Sequence, residues 1–264
     1  VTTVAHVALV TGGGRGIGRE CALALARRGC AVAVAARTRS EVERVAREAA
    51  ATGARTLALE LDVTDAAAVE RVVSEVGEQL GPLDILVNNA GIAESAPFAR
   101  TDRELWDRHL AVNVTGPFLL THAVLPGMLA RRWGRVVNIA SLAGLYGAPY
   151  VAAYVASKHA LVGLTRALAV EVAGRGVTVN AVCPGYVATD LTWKSARNIV
   201  EKTGKSYEEA VAALAHMNPG GRLIDPGEVA VVVRRLVDDD RTNGETIVLD
   251  GSGPIPEPEE GIDA

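Results

Sequence analysis

Ser141, Tyr154 and Lys158 place a hydroxyl, a phenol and an ammonium within one stretch of eighteen residues, S-L-A-G-L-Y-G-A-P-Y-V-A-A-Y-V-A-S-K. The run after it, Val155 to Ala173, is rich in Ala, Leu and Val, lacks proline and is predicted to be a helix. Residues four apart share a helix face, so Tyr154 and Lys158 stand one turn from each other. An ammonium that close stabilises a phenolate, lowers the phenol pKa and fits it for proton transfer near neutral pH. Ser141 follows an apolar run, Arg135 to Ala140, whose β-branched residues predict a buried strand. From the end of that strand its hydroxyl could polarise a substrate carbonyl opposite the phenol.

Such a trio needs a partner to react with, and the N-terminal third supplies one. His6 to Thr11 is predicted to be a strand, T-G-G-G-R-G-I-G (Thr11–Gly18) a turn, and the residues up to Arg28 a helix. Glycines let backbone approach a phosphate, and the helix N-terminus offers it unpaired N–H groups and a positive dipole end. The spacing is T-G-x-x-x-G-x-G, through Gly12, Gly16 and Gly18, and differs from G-x-G-x-x-G, whose third glycine would fall on Ile17.

Strands and helices then alternate: strand Ala31–Ala36, helix Ser40–Thr52, strand Thr56–Leu61, helix Asp65–Gln79 and strand Leu83–Val87. This order predicts an α/β fold, a doubly wound parallel sheet of about seven strands with helices on both faces. Ligands of such sheets bind at the strand carboxyl ends. The polar and glycine clusters recur at those ends: Thr11–Gly18, Ala36-Arg37, Asp62-Val63, Asn88–Gly91 and Ser141. The second strand runs into Arg37 with no Asp or Glu for a ribose 2′-hydroxyl, and Arg15 sits in the glycine turn. Two arginines at one corner favour a 2′-phosphate, hence NADP(H) over NAD(H).

Asp102–Arg132 reads as a long helical stretch interrupted at Asn113, Gly116-Pro117 and Pro126, with Pro117 distorting the helix beside Asn113. An asparagine there either satisfies a freed carbonyl or holds a water. A strand is expected at Val177–Val182, followed by turn chemistry at Pro184-Gly185. Thr192–His216 is predicted helical, with Gly204 near its middle, and has the length of a substrate lid. Asp225-Pro-Gly-Glu228 opens a last helix, and Glu245–Leu249 forms a last strand. Residues 1–252 therefore read as one Rossmann-type domain carrying a lid insertion at 190–217. Residues 253–264 are a proline-rich acidic tail, expected to be mobile or laid on a neighbour.

Bulk properties narrow the function. The 264 residues are 49% hydrophobic and 22% charged with net charge −4, which supports one globular domain and no nucleic-acid or anionic membrane partner. Cys21, Cys30 and Cys183 lack zinc or redox spacing and read as buried thiols. The opening residues show no basic, apolar leader or spanning segment, so a cytoplasmic location is expected.

In order, Thr11–Gly18, Asp62-Val63, Asn88-Asn-Ala-Gly91, Asn113, Ser141, Tyr154-x-x-x-Lys158 and Pro184-Gly185 resemble the short-chain dehydrogenase/reductase family in its single-domain form, over about Val4–Gly251. The resemblance implies that Gly12, Arg15, Gly16, Ile17 and Gly18 frame the pyrophosphate loop and that Arg37, Asp62 and Val63 flank the adenosine side. It implies a cofactor pocket lined by Asn88, Ala90, Gly91, Pro184, Gly185 and Val187, with Asn88 and Gly91 also steadying the central strand and Thr189 on the nicotinamide amide. Tyr154 would be the general acid in ketone reduction and the base in alcohol oxidation. Lys158 would bind the nicotinamide ribose, Ser141 would orient the carbonyl, and Asn113 would hold a water linking Lys158 to solvent. No metal is implied, because tyrosine and serine do the polarising.

Within that family the sequence looks most like reductases of 3-oxoacyl thioesters, on a carrier protein or coenzyme A, and of polyketide or related ketones. The apolar and aromatic pocket residues would be Ala143, Leu145, Tyr146, Tyr150, Tyr186, Trp193 and Met217. Oxidation of a hydroxysteroid or cyclic alcohol is the alternative of the same class, and a non-catalytic nucleotide sensor is the alternative of another. Loss of Ser141, Tyr154 or Lys158 would mark the sensor, and all three are present. The resemblance implies a homodimer or homotetramer, and independently the predicted catalytic helix is apolar nearly all round, which calls for cover that a second subunit would give.

Overall fold

A computed structural model describes residues 6–253 of the chain. The first five residues and all of the acidic tail beyond Gly253 lie outside the described residues. The order is β1 (Val7–Thr11), α1 (Gly16–Arg27), β2 (Ala31–Ala36), α2 (Arg39–Ala50), β3 (Thr56–Glu60), α3 (Ala66–Gln79) and β4 (Leu83–Asn88). It continues with α4 (Arg103–Leu110), α5 (Gly116–Arg131), β5 (Gly134–Ile139), α6 (Ala152–Val172) and β6 (Val177–Pro184). Then come α7 (Asp190–Thr203), α8 (Tyr207–His216), α9 (Pro226–Asp238) and β7 (Thr246–Leu249).

The strands form one parallel sheet in the order β3-β2-β1-β4-β5-β6-β7. The order reverses between β1 and β4, so their carboxyl ends open the crevice in which a doubly wound sheet receives its ligand. The inner strands β1, β5 and β6 are buried at every residue, as strands covered on both faces must be. The edge strands β3 and β7 keep partly open positions. One apolar layer lies under α1, α2 and α9, and the other under α3, α5 and the far half of α6.

The sequence-predicted long helix Asp102–Arg132 is a continuous helical run with a π-helical stretch, Ala111–Thr115, between α4 and α5. Pro117 cannot donate to the Asn113 carbonyl, and the wider turn absorbs that loss. By length and composition this run is able to cross a membrane. Here Leu120, Val124, Leu125 and Met128 are spent on the sheet instead. Pro126 sits inside α5 without ending it.

Two boundaries differ from the sequence reading. Thr192–His216 is two helices, because Gly204 adopts φ +70° and ends α7, after which Ser206 and Glu209 form a reciprocal cap for α8. Pro184 belongs to β6, opposite Leu249, and the turn starts only at Gly185, whose N–H donates to the Leu249 carbonyl.

A polar ladder crosses the core behind the site. Asn88 of β4 donates to Thr121 of α5 (3.2 Å) and to its register partner Asn138 of β5 (2.9 Å). Asn138 donates to Thr165 of α6 (2.8 Å), whose hydroxyl donates to the Leu161 carbonyl (2.8 Å). The Asn88 amide oxygen is left buried without a partner, but the donors of the ladder are paired, and breaking one would cost about 1–3 kcal/mol, so the ladder fixes α6 against two strands in one register.

Candidate active site

The glycine turn closes on β4 through a residue the sequence reading passed over. Asn89 donates to the carbonyls of Thr11 (2.9 Å) and Gly12 (3.2 Å), while the Thr11 hydroxyl accepts from the N–H groups of Asn89 (3.0 Å) and Ala90 (3.1 Å). A Cβ on Gly18 would lie 2.5 Å from the Asn89 amide nitrogen, so only glycine fits there. Gly12 and Gly16 adopt φ +60° and +52°, open to glycine at little cost. Ile17 packs onto the core below. Helix α1 starts at Gly16 with no capping side chain and no acidic residue in its first turn. Its leading N–H groups therefore suit a pyrophosphate, and the turn fits a dinucleotide.

The corner by β2 is more mixed than its sequence suggests. Arg37 is exposed at the strand end, and its charge contributes to holding the Asp62 carboxyl below its ordinary value, after the hydrogen bonds from Thr64. Arg15 lies 3.6 Å from Glu41 and 3.4 Å from Asp190, the first residue of α7. Arg44 donates to the Gly14 carbonyl at 2.9 Å. The expectation of a corner free of carboxylates is thus corrected: α2 swings Glu41 over Gly14, a placement invisible along the β2 sequence. Val63 is buried in the core and packs on Gly116.

At the ends of β4 and β5 the structure brings together Ser141, Tyr154 and Lys158. The Ser141 side chain faces the Tyr154 phenol and acts to lower its pKa. It also accepts the Ala143 N–H at 3.1 Å. Lys158 is buried, donates to the Ile139 carbonyl at 2.8 Å and holds Nζ 5.8 Å from the Tyr154 ring centre. Burial lowers its pKa to about 8, against the raising effect of Cys183. The phenol departs from the sequence expectation. Burial pushes Tyr154 up to about 12. That burial, with Tyr186 and Cys183 adding to it, holds the phenol up against the lowering effect of Ser141.

Asn113 is fully buried and its side chain is wholly engaged. Its oxygen accepts the Ile92 N–H (2.9 Å), and its nitrogen donates to the Ile92 carbonyl (3.0 Å) and the Ser157 hydroxyl (2.9 Å). Ser157, another residue the sequence reading missed, donates to the Tyr154 carbonyl at 2.8 Å. A Cβ on Gly91 would stand 3.3 Å from Asn113 and 3.6 Å from the Lys158 nitrogen, so glycine keeps this passage open. Asn88 steadies the central strand as expected, its amide nitrogen donating to Thr121 and Asn138 in the core ladder.

Thr189 comes within 3.1 Å of a Cβ built on Gly16, which sets the start of α7 beside the glycine turn. Val187 is buried and bridges to Ile224. Gly185 is pressed against Asn218, a buried residue that accepts the Tyr186 N–H (2.7 Å) and donates to the carbonyls of Tyr186 (2.9 Å) and Arg222 (2.7 Å). Nothing in the sequence around Asn218 announced that role. Of the pocket residues, Tyr146, Tyr150 and Met217 are exposed, while Ala143, Tyr186 and Trp193 are partly covered. Leu145 packs on the core cluster of Ala140, Leu161 and Cys183. Trp193 lines an open groove between α7 and α8 together with Arg197, Tyr207 and Val211.

Comparison with known proteins places this geometry. The model of the short chain dehydrogenase family matches residues 6–199. A 3-oxoacyl-[acyl-carrier-protein] reductase of Synechocystis sp. is 38% identical over 94% of this chain and 96% of its own. Among solved structures, an actinorhodin polyketide ketoreductase variant with NADPH is 38% identical with a TM-score of 0.90, covering 95% of this chain and 98% of its own. Levodione reductase is 32% identical with a TM-score of 0.88, over 93% and 96%. A dinucleotide turn, a Ser/Tyr/Lys group at the sheet's switch point and this likeness along nearly the whole chain agree: the chain belongs to the short-chain dehydrogenase family of oxidoreductases, and is similar to its ketoreductases.

Proposed function

We propose that this chain is an NADPH-dependent ketoreductase. The observation that carries the reading is the half-buried Tyr154, its phenol facing Ser141 and one turn from Lys158, at the same sheet edge as the glycine turn. The nicotinamide, when bound, supplies the hydride. Tyr154 gives its proton to the carbonyl oxygen, and the Ser141 hydroxyl donates a hydrogen bond to that oxygen as negative charge builds on it. Lys158 brings its positive charge to the phenolate that remains. A phenol pushed up to about 12 is protonated at neutral pH, the form that reduction needs and alcohol oxidation does not. Cofactor consumption assayed with a panel of ketones, 3-oxoacyl thioesters among them, tests the reading; cofactor binding with no turnover on any member would defeat it. The relatives' names favour 3-oxoacyl thioesters on a carrier protein, or polyketide ketones, as substrate class, and a coenzyme A thioester offers the same reacting group. Residues 190–217 serve as the lid over that substrate.

Arg37 and Arg15 support NADPH, with Glu41 opposing it. Arg37→Ala is expected to weaken NADPH binding about tenfold, the worth of one lost charge-assisted contact, and to leave NADH within about twofold. Titration of both cofactors by fluorescence checks this, and an equal loss for the two would remove the phosphate role.

The assembly is a homodimer or homotetramer. Phe118 on α5 is 48% exposed and Val170 on α6 is 79% exposed, an apolar cost that a second copy removes. Light scattering after size exclusion should give a dimeric or tetrameric mass. Phe118→Glu with Val170→Glu should shift that mass toward the monomer if these faces meet.

A further inference from the structure

His109 lies on α4 one turn before Asn113 and is fully buried, yet takes no part in the proton transfer described above. A histidine in such a place costs stability unless both ring nitrogens are satisfied, and here both are. Nε2 accepts the N–H of Glu94 at 3.1 Å, so that nitrogen carries no proton, and Nδ1–H donates to the Leu105 carbonyl at 2.8 Å. The ring meets that of Tyr154 edge-on, with centroids 6.4 Å apart at 71°.

The segment following Gly91 is stitched at every second residue. Ile92 is held through both backbone groups by Asn113, Glu94 by His109, and Ala96 donates to the Tyr150 carbonyl at 2.8 Å. Tyr150 adopts φ +65°, a conformation a tyrosine keeps only when its surroundings fix it. It lies four residues before Tyr154, at the entry to α6. His109 thus reaches the phenol by two routes, directly through its ring and indirectly through residues 94, 96 and 150. A leucine would fill the volume, but only a group with an acceptor at the Nε2 position completes the stitching.

We infer that His109 is a positioning residue, whose neutral ring holds the 92–96 segment and the Tyr154 ring in the geometry for proton transfer; this rests on the ketoreductase reading. The test compares wild type, His109→Leu and His109→Gln, the last of which restores an acceptor for the Glu94 N–H. With NADPH and a ketone turned over by the wild type, His109→Leu should lose about 10- to 100-fold in kcat, the effect of a small misplacement of a reacting group. NADPH affinity should stay within about twofold, and His109→Gln should recover most of the loss. Amide hydrogen exchange at residues 92–96 should quicken about tenfold in His109→Leu and stay near wild type in His109→Gln. Equal kcat and exchange in all three proteins would overturn the inference, as would equal losses in both variants. Faster exchange in His109→Leu, with a wild type that reduces no ketone, would sustain the tether and defeat the ketoreductase reading instead.

Discussion

Tyr154→Phe should lower turnover by roughly 10²–10⁴-fold, the usual worth of a positioned general acid, while NADPH affinity changes less than about threefold. The ring keeps its edge-on contact with His109, so packing is preserved and only the hydroxyl goes. Ser141 loses the phenol as a partner but keeps the Ala143 N–H, which limits any movement of the loop. The measurement is kcat and kcat/KM on one ketone, with cofactor titration alongside. A variant turning over at more than a tenth of the wild-type rate would show that another group delivers the proton. In the wild type the phenol, raised to about 12, stays protonated into the alkaline range, so a fall in ketone reduction there should follow the loss of the Lys158 proton near pH 8.

The second large effect belongs to Lys158. Lys158→Met should cost at least about 10²-fold in kcat, since it removes the cation nearest the phenolate formed in the reaction. It also leaves the Ile139 carbonyl without its partner, at about 1–3 kcal/mol. Stability against pH separates the charge from that lost hydrogen bond. The folded protein sheds the Lys158 proton near pH 8, whereas the unfolded chain keeps it until about 10.5. Between those values the unfolded state binds more protons, so stability must rise with pH, by about 3 kcal/mol across the window. Below pH 8 the buried charge opposes folding in full. Denaturant titrations of wild type and Lys158→Met at several pH values should therefore show the wild type gaining on the variant from pH 8 upward. A constant difference would mean that Lys158 titrates as it does in the unfolded chain.

Lys158 also shows how far a linear reading reaches. The four-residue spacing to Tyr154 put the two on one helix face, and the structure keeps them there. The sign of the phenol's displacement was not legible, because it depends on how much protein closes over the hydroxyl, and elements distant in sequence supply that cover. Glu41 is a similar case. The end of β2 offers only arginines, and the carboxylate reaches Gly14 because α2 packs back across the turn. Asn89 and Ser157 lie inside motifs legible in the sequence, but their holding roles depend on partners elsewhere in the chain, and nothing around Asn218 marks it at all.

The sequence by itself determined the alternation of strands and helices, the glycine turn with its helix, and the Ser/Tyr/Lys group at the strand ends. These follow from local periodicity, backbone freedom and fixed spacing, which a chain carries wherever it folds. Only the tertiary structure decided that burial holds the Tyr154 phenol up, that Asn89 ties the glycine turn to β4, and that His109 stands behind the phenol. Desolvation and hydrogen-bond partnership are properties of what surrounds a group in space, and those neighbours come from segments far away along the chain.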